Sequence, residues 1–306
     1  MSFKLQHGKP LGENLCRICR KQVEGAIAVA RVEEYGDGTP VHETRKHLKK
    51  ARAALRLVRA EIGKGLYRQQ HHVLRDAGRL ISELRDAEVR LQTVRQLQHV
   101  THRRDLCCGN VEIMLVFELE NFMAAFAGWQ SQAALILEEA LRAVDCWALD
   151  QFSGEQLADA VRLSYKRARK ALAQAQASPS AQRFHKFRSR AKLLGYQLSI
   201  LRPINPLVLK NLSAELAAVS DLLGQAHDLN FLGQRLRDDD SSSQWQREGE
   251  KLLGVVETGE GQLQRGAADL GAHFFVERPR EFGNRVAQWL ENWQHNKSPL
   301  LAEELI

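Results

Sequence analysis

Six basic side chains, His42, Arg45, Lys49, Arg52, Arg56 and Arg59, follow one another at intervals of three and four residues. A helix turns once per 3.6 residues, so this spacing puts all six on one face. Val41, Leu48, Ala51, Leu55, Val58 and Ile62 form a neighbouring apolar stripe, which predicts a buried face beside the cationic one. Like charges at i and i+4 destabilise a helix by roughly 0.2–0.5 kcal/mol per pair. A merely solvated face usually alternates glutamate with lysine, and this row has no carboxylate within it. An anion lying along the row relieves the repulsion. Arginine suits phosphate because its planar fork donates two parallel hydrogen bonds, while lysine offers a compact charge. The chemistry these residues can do is to hold a linear polyanion. The histidines add hydrogen bonds at neutral pH and charge below about 6.5.

Other segments carry similar rows. Arg68, His72, Arg75 and Arg79 repeat the spacing; Arg162, Lys166, Arg169 and Lys170 cluster with Tyr165 beside them. Arg17 and Lys21 on the first predicted helix, and Lys46 beside the main row, are counted with the candidate contacts. His185, Arg188 and Lys192 then restart the first pattern, joined by Lys186 and Arg190. An offset of 143 aligns His42 with His185, Arg45 with Arg188, Lys49 with Lys192, Leu55 with Leu198 and Arg59 with Arg202. One helix later, Leu84-Arg85-Asp86 corresponds to Ala226-His227-Asp228 at an offset of 142. Gly195 and Ser199 stand where the first copy has Arg52 and Arg56, so the first half is expected to bind more strongly.

Helices must position these rows, because strand signals are nearly absent. Helical patterns run near 11–34, 41–63, 67–100 and 109–149, then near 155–177, 180–202, 206–237, 243–273 and 279–295. Gly36-Asp37-Gly38-Thr39-Pro40, Ser178-Pro179-Ser180, Pro203 with Pro206, and the run from Asp238 to Ser243 break the pattern. The segment 109–149 is expected to bend around Gly128, and Phe152-Ser153-Gly154 marks a junction. The repeated order of helices predicts an all-α fold of two four-helix bundles, over 11–150 and 154–296, related by an internal pseudo-two-fold, plus a C-terminal helix.

A net charge of +7 points to acidic partners. No window approaches the apolar length of a membrane span, and the start, Met1 to His7, has no secretory apolar run, so a cytoplasmic protein is expected. Five cysteines argue against a disulfide framework. Cys16 and Cys19 form a CxxC with no second pair at finger-like spacing, and all five, Cys107, Cys108 and Cys146 included, read as small core residues. His71 and His72 diverge on a helix, and no carboxylate cluster completes a metal site around them. No phosphate-binding glycine loop, nucleophile elbow or dinucleotide fingerprint appears. The expectation is a binding protein rather than an enzyme, with no cofactor and no metal.

The segments HETRKHLKKARAALRLVR, SELRDAEV, SYKRARKAL, FHKFRSRAKLLGYQLSIL and DLLGQAHDLNFL, with Glu277-Arg278-Pro279 before the last helix, resemble the CHAD domain, a histidine-containing α-helical family. The resemblance runs from about residue 11 to 295, and the paired H-x-x-R-x-x-x-K elements carry most of its specificity. It implies two four-helix bundles flanking a basic groove or channel, and binding of inorganic polyphosphate with accumulation on polyphosphate granules. Carried over by position, His42, Arg45, Lys49, Arg52, His185, Arg188 and Lys192 would contact the anion. Arg85 with Asp86, and His227 with Asp228, match the family's second element, whose carboxylate would orient a basic neighbour. Many relatives also carry a triphosphate-hydrolysing CYTH domain. Its E-x-E-x-K pattern has no counterpart here beyond Glu118-Leu119-Glu120, so the chain reads as a stand-alone CHAD protein.

Nucleic acid is the second reading, since RNA and DNA also present rows of phosphates. Readers of nucleic acid add stacking platforms. Aromatic residues make up only 7% of this chain, and Trp129, Trp147, Trp289 and Trp293 sit in apolar helical patterns. A narrow basic channel would also admit a base-free chain and exclude bases. A phosphohydrolase is the third reading, and would need metal-binding carboxylates that the sequence does not assemble.

Overall fold

The computed structural model describes residues 3–32, 39–100, 108–238 and 243–295; Cys107, the breaks at 36–38 and 239–242, and the expected end of the first helix at 33–34 lie outside them. Among the described residues there are eleven α-helices and no strand. The chain begins with α1 (Leu11–Ala30) and α2 (Pro40–Leu57). Thr39 caps α2 by accepting from the His42 amide at 3.2 Å, and Pro40 occupies the first turn, where its missing donor costs nothing.

The expected helix over 67–100 is two helices, α3 (Lys64–Leu80) and α4 (Ser82–Val100). Gly78 lies in the last turn before the break. Ser82 Oγ donates to the Arg79 carbonyl at 2.8 Å, and the turn drives Ile81 into an apolar cluster with Val41, Leu84, Trp129 and Ala133. The expected segment 109–149 also divides, into α5 (Gly109–Ala125) and α6 (Trp129–Val144). Here the bend falls at Gly128, whose φ of +83° lies in the left-handed region that a residue without Cβ enters freely.

The second half follows its sequence pattern closely: α7 (Gly154–Ala177), α8 (Ala181–Leu201), α9 (Pro206–Arg237), α10 (Ser243–Phe274) and α11 (Pro279–His295). A capping box at Ser153 and Gln156 starts α7, and Ser180 and Asn205 cap α8 and α9. Each cap satisfies an amide that the helix itself leaves unpaired.

The largest apolar cluster joins both halves, from Leu15 and Leu55 through Leu137, Leu157 and Leu198 to Leu290. A second cluster gathers Leu91 and Val94 of α4, Val111 and Leu115 of α5, and Leu229, Leu232, Leu252 and Val256 of α9 and α10. Val41, Leu48, Ala51, Leu55, Val58 and Ile62, the stripe expected to face inward, are all buried. The cationic helix α2 packs directly on α8. Gln197 Nε2 of α8 donates to the Ala53 carbonyl of α2 at 3.4 Å in the buried seam.

Trp129 and Trp147 are buried, and Trp289 and Trp293 pack half-buried on the core. Cys19 is buried, with its thiol toward the Ala51 carbonyl; Cys16 is half-buried, Cys108 buried, and Cys146 departs from the expectation by lying exposed. No helix among the described residues is long and apolar enough to cross a membrane.

Candidate functional site

Where α2 and α8 cross, basic residues from both copies of the repeat face a common space. A cavity of about 1200 Å³ opens there, closed at its edges by α3, the end of α7 and His227 of α9. Among the described residues its lining contains nine arginine and lysine side chains, three histidines and no carboxylate. From α2 come Arg45, Lys49, Arg52 and Arg56; from α8 come His185, Arg188, Arg190 and Lys192, with Arg183 and Lys186 at the margin.

The basic residues aligned by the sequence offset have similar electrostatic partners. The opposite charge acting most on Arg45 is Asp86, and on Arg188 it is Asp228. His42 lies 3.9 Å from the Glu43 carboxylate and feels the charge of Arg85, and its counterpart His185 packs against His227 with ring centroids 4.6 Å apart. Burial pushes the carboxyls of Asp86 and Asp228 up even though these arginines pull them down. Gly224 on α9 leaves room for the Arg188 fork: a Cβ there would stand 3.2 Å from Nη2.

These cations are poorly neutralised. Among the described residues, Arg45, Lys49, Arg52, Arg56, Arg188, Arg190 and Lys192 form no ion pair within 4.0 Å. Three of them lean instead on neutral groups. Arg45 donates to the Gly78 carbonyl at 2.9 Å, Arg52 to His71 Nε2 at 3.3 Å, and Arg56 to the Tyr67 hydroxyl at 2.8 Å. Burial, then the charges of Lys192, Arg45, Arg188 and Arg85, lowers the Lys49 ammonium to about 7. Lys192 is lowered too, by burial first and Arg188 second. Concentrated, partly desolvated positive charge of this kind is what an entering anion relieves.

The histidines behave differently from the sequence expectation of charging below about 6.5. Burial, reinforced by Arg52 and Arg56, lowers His71 to about 4; burial, then Arg188 and His185, lowers His227 to about 3. His42 and His185 move in the same direction, again with burial as the first cause. In the unliganded protein these rings are therefore neutral hydrogen-bonding groups near pH 7.

Of the other residues singled out from sequence, several lie elsewhere. His42 and Lys46 are outside the lining, and Lys46 pairs with Glu43 at 3.2 Å. Arg75 and Arg79 face Asp76, at 2.9 and 3.9 Å, outside the lining, and His72 is exposed on α3. The expected row on α3 was about one residue out of phase, because Tyr67 and His71 are the residues that reach the cavity. Arg17 donates to the Lys4 carbonyl and to Asn14, holding the N-terminal segment on α1, and Lys21 is also outside the lining.

On α7, Arg162 pairs with Asp159 at 2.9 Å. Lys166 and Arg169 line a separate groove of about 760 Å³ with Phe275 and Pro279, and Arg169 donates to the Phe275 carbonyl at 2.9 Å. Tyr165 is a core residue, 1% exposed, stacked on Phe282 and donating its hydroxyl proton to the Glu277 carbonyl. Its aromatic bulk serves packing at the α7–α11 seam. Tyr67, His71, Tyr196 and His227 line the cavity and were not among the expected contacts. For His227 the signal was present in the repeat alignment; for Tyr67 and His71 it was the phase set by buried Gln70, Leu74 and Ala77.

Among the described residues no three histidine, cysteine, aspartate or glutamate side chains gather as a metal site. Fold and cavity together define an all-α protein with a cationic cleft that no carboxylate lines among the described residues. Residues 20–237 match the CHAD domain family, and the chain belongs to it. The crystal structure of the CHAD domain from the plant Ricinus communis is similar, with a TM-score of 0.53 and 17% sequence identity, covering 94% of this chain and 95% of that one. At that identity the likeness concerns the fold. No protein of curated function matches the chain.

Proposed function

We propose that this protein binds inorganic polyphosphate in the cavity between α2 and α8, as a non-catalytic binding protein that associates with polyphosphate granules. One observation carries the reading: cations from two helices converge on one concave space, with no carboxylate among the described residues of its lining. Basic residues outside that space, such as Lys46, Arg75, Arg162 and Arg237, are paired with acids. The arginines and lysines of the α2 and α8 row at the cavity have no ion-pair partner among the described residues. Eleven residues separate Arg45 from Arg56 on α2, about 16 Å of helix, a length that suits a chain of phosphates better than one. Family membership points the same way.

A nucleic-acid backbone is the competing ligand. Open aromatic faces would favour it. The two tyrosines of the lining are otherwise engaged: Tyr67 lies under Arg59, 5.1 Å from its ring centroid, and Tyr196 packs edge-on to Phe3. The test is calorimetry with defined-length polyphosphate and single-stranded RNA at two salt concentrations. Polyphosphate is expected to bind with a log–log salt slope of about −0.7 per phosphate neutralised, a calibration taken from single-stranded nucleic acids. RNA at equal phosphate concentration is expected not to displace it. Displacement by RNA would favour the nucleic-acid reading, and release of orthophosphate during incubation would overturn the non-catalytic part.

A further inference from the structure

The cavity has two unlike poles. Toward the start of α2, the cations are backed by carboxylates: Asp86 beside Arg45, and Asp221 and Asp228 beside Arg188 and Lys192. Toward the end of α2 this backing disappears. The charges acting most on Arg190 are those of Arg56 and Tyr67, and on Arg167 those of Arg56, Arg59, Arg190 and Tyr67. Arg52 lies against neutral His71, and Arg56 against the Tyr67 hydroxyl. The Tyr67 ring is itself held between the Arg59 guanidinium and His71, whose ring centroid is 5.7 Å away. Lys49 and Arg56 are seven residues apart, so the poles are separated by about 10 Å along the helix.

The chemistry of a polyphosphate chain has a matching asymmetry. An internal phosphate has two free oxygens and one negative charge. A terminal phosphate has three free oxygens and, at alkaline pH, carries a charge of about −1.5 to −2, as phosphate monoesters do. We propose that the pole formed by Arg52, Arg56, Arg190 and Tyr67 is an end-group site, which receives the terminal phosphoryl group of a linear chain. Arg52, Arg56 and Arg190 supply forks for its three oxygens, and Tyr67, whose oxygen accepts from Arg56, has its own hydroxyl proton left to donate. Arg167, on which Arg56, Arg59 and Arg190 act most strongly, adds field behind them. The inference deepens the polyphosphate reading and rests on it.

The experiment compares linear tripolyphosphate with cyclic trimetaphosphate, which has the same number of phosphates and no ends, at pH 8 and fixed ionic strength. Long-chain polyphosphate is measured in parallel. Calorimetry on the full chain is expected to show the linear trimer bound more tightly by about tenfold or more, the contrast that one added charge-assisted hydrogen bond carries. Arg190→Gln, and separately Arg167→Gln, should reduce this ratio severalfold. Lys192→Gln at the opposite pole should weaken both trimers together and preserve it. Equal binding of the two trimers overturns the proposal, as does a ratio that Lys192→Gln reduces as much as Arg190→Gln, since the preference would then be bulk charge. Binding of the long chain but of neither trimer also overturns it, while leaving the parent function intact. Failure of the long chain to bind removes both.

Discussion

Lys49 provides a quantitative handle on the cavity, because its ammonium loses its proton near pH 7 in the unliganded protein. At pH 7.5 about three-quarters of the molecules then carry a neutral Lys49, and at pH 6 about a tenth do. A polyanion in the cavity favours the charged form, so binding must draw a proton from solution. The expected uptake at Lys49 is about 0.75 proton per site at pH 7.5, falling to about 0.1 at pH 6. Recharging costs about 0.8 kcal/mol at pH 7.5, roughly a fourfold loss of affinity relative to acid pH. The assay is calorimetry with polyphosphate in buffers of different ionisation enthalpy, where the slope of observed heat against that enthalpy counts protons. Lys192, His42 and His185 are shifted in the same direction and contribute their own uptake, so the comparison is with Lys49→Arg, which keeps a permanent charge. That variant should still bind while losing most of the uptake at pH 7.5. Undiminished uptake in Lys49→Arg, or none in the parent protein, would refute the account of a desolvated, mutually repelling cation row.

Replacing Arg45, Lys49 and Arg52 together with alanine should reduce the magnitude of the log–log salt slope by about 2, at about 0.7 for each phosphate no longer neutralised; an unchanged slope in calorimetric titrations would mean these side chains do not touch the ligand. Tyr165→Phe removes the hydroxyl that donates to the Glu277 carbonyl and should cost about 1 kcal/mol in chemical denaturation while leaving polyphosphate affinity unchanged. Weaker binding at unaltered stability would instead return Tyr165 to the binding surface. In the unliganded protein, thermal stability should climb from pH 7 to 9, as followed by melting curves. The Lys49 ammonium ionises near 7 when folded against 10.5 as a free side chain, so across that window the unfolded chain holds more protons and rising pH favours the fold. A melting temperature that falls over this range contradicts the assignment.

The residues of this chain determine its helices, most of their limits, and the existence of the cationic row on α2. Periodicity, caps and prolines act within a few residues of one another, so the bounds of α9 at Pro206 and Arg237 and the inward stripe from Val41 to Ile62 could be read locally. The offset of 143 likewise pairs Arg45 with Arg188, and the fold sets Asp86 and Asp228 beside them. Other features depended on packing between distant segments. The break at Ile81 has only Gly78, three residues earlier, to announce it, and Ile81 is buried in a cluster with Val41 and Trp129. Charge alone could not separate Arg52, which faces the cavity, from Arg79, 68% exposed beside Asp76, since both sit in rows with the same spacing. Tyr165 shares its helix with basic neighbours, yet α11 covers it. Helical phase tells which residues share a face. What that face meets, whether water, a carboxylate or another row of cations, is set by how α2 and α8 cross.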